Sequence, residues 1–90
     1  MKDKIEKFCV ESEIDVLFAD GFDNAIIGLG RCFNTYKVIY DKSKVIKKLM
    51  EDMTMEEAEE FFEFNIIGSY VGDGTPVFLE ELEWCFLKIR

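Results

Sequence analysis

Ala19-Asp20-Gly21-Phe22-Asp23-Asn24-Ala25-Ile26-Ile27-Gly28-Leu29-Gly30 is the stretch on which the fold turns. Its first half is a turn. Gly21 can take positive φ, and the Asp and Asn side chains can bond nearby backbone groups. Its second half opens an apolar, β-branched run over residues 25–33 that reads as a strand. Asp20 and Asp23 are two carboxylates three residues apart. They could bind a divalent cation or act as an acid/base pair, but the spacing matches no metal motif. Capping and shaping the turn is the commoner role for such residues.

Gly28 and Gly30 are two apart, so they share one face of that strand. Strand glycines mark a bulge or a close approach, and a packed helix is the expected neighbour. Gly-Leu-Gly is not a phosphate loop, because the third glycine and the following helix are absent.

On the N-terminal side, residues 14–18 alternate as a strand entering the turn. Before them, Ile5, Phe8 and Cys9 fall at i, i+3 and i+4, which predicts a helix over 2–12. On the C-terminal side, Asn34-Thr35 separates the first run from Tyr36-Lys37-Val38-Ile39-Tyr40, a hairpin signal. Tyr36, Val38 and Tyr40 share a face. Two tyrosines there could stack on a nucleobase, although strand aromatics more often pack in sheets.

Asp41 or Ser43 can cap a helix over 44–52, with Val45, Ile46, Leu49, Met50 and Met53 at helical spacing. Lys42, Lys44, Lys47 and Lys48 form the one basic cluster. It reads either as a solvated face balancing local acids or as an anion site. Thr54-Met55-Glu56-Glu57 is a capping box, pairing Thr54 with Glu57. The helix it opens is expected to reach about residue 67. That spacing places Asn65 on its apolar face, where a buried amide must be hydrogen-bonded. Tyr70–Thr75 composition is turn-like, and Pro76 opens a short strand over 77–79. Residues 80–90 fit a strand or a helix, with a strand slightly favoured by Trp84, Phe86 and Ile89.

The expected fold is α+β: a small antiparallel sheet of three to five strands with two or three helices packed on one face. Ninety residues form a single domain, 1–90. At this size a homodimer would be a natural supplement to the core.

The formal net charge is −8. That opposes direct nucleic-acid binding, which needs clustered Lys and Arg. The chain has no histidine, the usual acid/base near neutral pH and the commonest metal ligand. Its three cysteines, Cys9, Cys32 and Cys85, contain no Cys-x-x-Cys pair. Reduced thiols in a cytoplasmic protein are the expectation. No apolar run reaches membrane-spanning length, and no signal core precedes the first helix. Neither a cofactor nor a metal is implied.

Several words in fixed order resemble a family of small, uncharacterised bacteriophage and prophage proteins. They are Ala19-Asp20-Gly21-Phe22-Asp23 with Ala25-Ile26-Ile27-Gly28, Phe33-Asn34, Val38-Ile39-Tyr40-Asp41, and Met53-Thr54 with Glu56-Glu57-Ala58. Phe62-Glu63-Phe64-Asn65, Gly68-Ser69-Tyr70-Val71-Gly72 and Gly74-Thr75-Pro76-Val77-Phe78 complete them. The family carries a second acid where Asn24 stands, which weakens a metal reading of the turn. The resemblance implies a small phage accessory protein in the bacterial host cytoplasm. Such proteins act by stoichiometric binding, for example by inhibiting a host or anti-phage defence protein.

Three functions follow. The first is non-enzymatic inhibition through an acidic and aromatic surface, with Glu56, Glu59, Glu60 and Glu63 on one helix and Glu80, Glu81 and Glu83 beside Trp84. The second is a nucleotide-binding sponge using Asp20, Asp23, Tyr36, Tyr40, Lys44, Lys47 and Lys48. The third is a metal-dependent hydrolase on Asp20, Asp23 and Asp41, the weakest because no ligand motif supports it.

Overall fold

The computed structural model describes residues 1–68 and 74–80. Helix α1 spans Lys2–Ser12, and a single 3-10 turn covers Asp23–Ala25. Strands β1 (Ile26–Cys32) and β2 (Thr35–Asp41) form a hairpin, followed by helices α2 (Lys42–Leu49) and α3 (Met55–Phe61). The chain continues from α3 as a π-helical segment, Phe62–Ile67, and then pairs a short strand β3, Val77–Leu79. The expected segment 80–90, with Glu81, Glu83, Trp84 and Cys85, lies outside the described residues beyond Glu80. So do residues 69–73, which hold most of the expected turn over 70–75.

The fold is α+β: among the described residues, a three-stranded sheet in the order β1-β2-β3 with three α-helices. β1 and β2 are antiparallel, but β3 runs parallel to β2, with Tyr40 beside Phe78, so the sheet is mixed. A parallel neighbour requires a long crossover, and α2, α3 and the π segment provide it. Val38 and Tyr40 on β2 are fully buried. They share one core with Ile5 and Cys9 of α1, Val45 and Ile46 of α2, and Ala58 and Phe62 of the α3 region.

The run at residues 14–18 is not a strand. Ile14, Val16 and Phe18 pack toward the core, as the alternation requires, while Asp15 and Leu17 stay exposed. Apart from the bond that closes α1, from Ile14 N–H to the Cys9 carbonyl at 2.8 Å, the backbone bond formed there among the described residues is from Leu17 N–H to the Gly74 carbonyl at 3.3 Å. Alternation reports burial of one side of a chain, and a ladder needs a strand beside it.

The glycines share a face and mark a bulge, as expected, but their expected neighbour is corrected. Ile27 is an extra residue in β1: Ile26 faces Tyr40 while Gly28 faces Ile39. This bulge reverses the facing. Ile26 and Leu29 both reach the core, and Gly28 and Gly30 fall on the opposite face with Ile39 and Lys37. Among the described residues no helix fills the space over Gly30. A Cβ there would lie 2.8 Å from Ile39 Cδ1, so the neighbouring strand's own side chain occupies it. The hairpin turn itself is Phe33-Asn34, one residue earlier than expected.

The second long helix changes winding. From Phe62 its turns close i→i+5, and this wider winding shifts every later residue around the axis. Ile66 takes the inward position after Ala58 and Phe62, and Asn65 is turned out to an exposed site. The expectation of a buried Asn65 assumed constant 3.6-residue winding and does not hold.

Candidate functional site

The acidic turn is fixed to the sheet from below. The Tyr40 hydroxyl accepts a 2.7 Å hydrogen bond from the Ala19 N–H, and Tyr40 stacks on Phe78 with ring centroids 5.4 Å apart. Burial pushes the Tyr40 pKa up; the Ala19 bond opposes the shift, and the charges of Asp23 and then Asp20 reinforce it. Phe22 packs against the core, Ala25 is buried, and Gly21 adopts φ of 88°, the conformation for which glycine suits the turn. Asp20 and Asp23 therefore stand exposed on a well-anchored loop.

Helix α2 packs beside this turn. Asp41 caps it, accepting from the Ser43 N–H at 3.1 Å and from the Ser43 hydroxyl at 2.8 Å. Lys44, Lys47 and Lys48 lie at i, i+3 and i+4 and so share a face. Between that face and the turn is an open groove of about 600 Å³, lined by Gly21, Phe22, Asp23, Asn24, Ala25, the three lysines and Glu51. The acidic turn and the basic cluster, separate in sequence, are thus neighbours. Asp23 pairs with Lys2 at 3.7 Å, and Lys48 pairs with Glu51 at 3.9 Å. Lys42 is used elsewhere: it reaches Glu80 at 3.0 Å and lies over the Phe62 ring.

The tyrosines do not join this groove. Tyr40 is wholly inside the core, and Tyr36 is half-buried between the Phe8 ring at 5.9 Å and the Arg31 guanidinium at 5.3 Å. A two-tyrosine platform facing a nucleobase is thereby removed, because burial of Tyr40 leaves its ring no open side. The described acids do not gather into a group of three His, Cys, Asp or Glu that could hold a metal. Cys9 is buried, and that burial, helped by Asp15, raises its thiol pKa, whereas Cys32 is exposed.

The second candidate surface is the outer side of α3 and its π continuation. Thr54 and Glu57 form the complete capping box, with Thr54 N–H donating to Glu57 Oε1 at 2.9 Å and Glu57 N–H donating to Thr54 Oγ1 at 3.2 Å. Glu56, Glu60 and Glu63 are exposed, at i, i+4 and i+7, and Glu59 is half-buried. Phe61 is 39% exposed and Phe64 75% exposed. Glu80 belongs instead to the pair with Lys42.

Helical spacing from Ala58 places Phe61 on the apolar face with Phe62 and Asn65, yet Phe61 is among the exposed residues, and Phe64 was not singled out. Aromatics in a helix suggest its core side, but Phe64 stands two residues after buried Phe62 and so lies across the axis from the core under either winding. Phe33, 91% exposed at the hairpin tip with φ of 55°, was likewise not singled out, because the expected turn lay one residue later and left Phe33 at the end of the strand. No helix among the described residues is long and apolar enough to cross a membrane. No protein family, curated protein or solved structure matches the chain.

Proposed function

We propose that this protein acts by stoichiometric binding to another protein, using the outer face of α3 and its π-helical continuation. In this reading it is a phage-type accessory protein that inhibits a host or defence protein in the bacterial cytoplasm. The observation that carries the reading is the exposure of Phe61 and Phe64 beside the acidic row Glu56, Glu60 and Glu63. Aromatic side chains set among charges are the composition of an interface anchor with a polar rim. The acidic row selects a partner with a basic rim around an apolar pocket and steers its approach. Turnover would need a poised nucleophile, acid/base pair or metal, and the binding reading needs none of these.

The test is titration against a partner captured with the full chain. Inhibition saturates at a fixed molar ratio. Phe64→Ser weakens binding at least tenfold, and Glu60→Lys with Glu63→Lys weakens it and flattens its salt dependence. Processing of excess partner by trace amounts of protein would overturn the proposal.

A further inference from the structure

We infer that the groove between the acidic turn and α2 is a binding site for a compact polyanion of the oligophosphate class. This site is separate from the α3 face and does not depend on it.

Three lysines line one wall, Lys44, Lys47 and Lys48. Lys47 and Lys48 stand in the last turn of α2, where the helix dipole favours cations. Lys44 has no such reason to be there. It is the third residue of α2, close to the N-terminal end, where the dipole disfavours a cation. Among the described residues neither Lys44 nor Lys47 has an acidic partner. Of the two acids lining the groove, Asp23 is drawn toward Lys2 outside it, and Glu51 pairs with Lys48 of the wall itself, which leaves Lys44 and Lys47 uncompensated. In a chain of net charge −8, this is a local excess of positive charge facing a concave space.

The opposite wall is set before any ligand arrives. Phe22 and Ala25 pack it to the core, and the Tyr40 hydroxyl holds Ala19 at its base. Exposed Asn24 adds an amide that can donate to an anion. The groove volume of about 600 Å³ falls within the usual size of small-molecule sites, roughly 300–1,000 Å³. Lysine side chains bind phosphate as point charges without fixed geometry. Recognition therefore depends on the number of negative charges rather than on one oriented group, which favours an oligophosphate over a single phosphate.

Inorganic tripolyphosphate and a nucleoside triphosphate are the probes, each titrated into the full chain at fixed ionic strength and followed by amide chemical shifts and calorimetry. Tripolyphosphate is expected to give saturable shifts over residues 21–25 and 44–48. Lys44→Glu with Lys47→Glu weakens it at least tenfold, whereas Lys4→Glu with Lys7→Glu on α1 leaves it within twofold. Asp23→Asn tightens it at least twofold by removing a competing carboxylate from the wall. Equal affinity for the two probes assigns recognition to the phosphates alone, and tighter nucleotide binding at the same residues assigns a nucleotide. Linear shifts without saturation, equal weakening by the α1 reversal, or nucleotide binding without tripolyphosphate binding would each overturn the inference.

Discussion

The hydroxyl of Tyr40, on the central strand, accepts the backbone N–H of Ala19 at 2.7 Å across 21 residues of sequence. One buried side chain thereby ties the core of the sheet to the loop that forms a wall of the groove. Tyr40→Phe keeps the ring stacked on Phe78 but leaves that N–H without its acceptor, and is expected to cost about 1 kcal/mol. The pH dependence has a definite sign. The folded-state pKa of Tyr40 is raised, chiefly by burial, so the unfolded chain ionises first as pH rises. The contribution is fully present below the ordinary tyrosine value of about 10 and is lost as pH climbs through the raised value. Urea titrations at several pH values should therefore show the gap between wild type and Tyr40→Phe shrinking above pH ~10. A constant gap would contradict the buried assignment.

Helix α1 ends on a left-handed residue that is not glycine. Glu13 has φ of 55° and ψ of 44°, with its N–H on the Val10 carbonyl at 3.4 Å and the Ile14 N–H on the Cys9 carbonyl at 2.8 Å. This is the Schellman arrangement, in which glycine is preferred. A carboxylate at a helix C-terminus also opposes the dipole. Glu13→Gly should stabilise the protein by roughly 0.5–1 kcal/mol, from relief of the left-handed strain. Glu13→Ala, which keeps the Cβ, should recover less. Thermal melts of the two variants separate backbone strain from charge.

Gly30 and Ile39 should behave as a coupled pair. A Cβ at residue 30 would meet Ile39 Cδ1 at 2.8 Å and Cγ1 at 3.3 Å. Gly30→Ala gains strand preference but crowds that side chain. In an Ile39→Ala background the crowding is gone. A double-mutant cycle should give a coupling of about 1 kcal/mol, with Gly30→Ala more favourable in the truncated background. Additive effects would mean that Ile39 does not lie over Gly30.

Thr54→Ala removes an observed cap and should cost about 1 kcal/mol without changing the fold. The Glu57 pKa is lowered, first by the Thr54 backbone N–H and then by the Thr54 side chain. A depressed carboxylate contributes stability above its unfolded value, and loses it as pH falls through the folded value. The advantage of wild type over Glu57→Gln should therefore be steady near neutrality and fade below pH ~4, the ordinary glutamate range. Denaturant titrations across that range check it.

Local signals settled most of the elements. Helical spacing marked α1 and α2, and the capping box set the start of α3 at the right residue, because caps and apolar stripes depend on neighbours within one or two turns. The β1–β2 hairpin was legible for the same reason, with its turn displaced by one residue. The acids of the turn and the lysines of α2 were each legible as residue types with two possible uses.

Which of those groups meet was decided by the tertiary structure. A bulge at Ile27 sent Gly28 and Gly30 to the face away from the core, a choice that a strict two-residue period cannot express. The π turns after Phe61 exchanged Ile66 for Asn65 on the buried side. Parallel pairing of β3 with β2 placed Phe78 on Tyr40, which buried one of two tyrosines that alternation alone had left as a potential platform. Composition, caps and periodicity act over a few residues, and they were determined by the sequence itself. The groove joining residues 21–25 to 44–51 is a long-range contact, held by packing of the turn and α2 against a common core, and no local pattern encodes it.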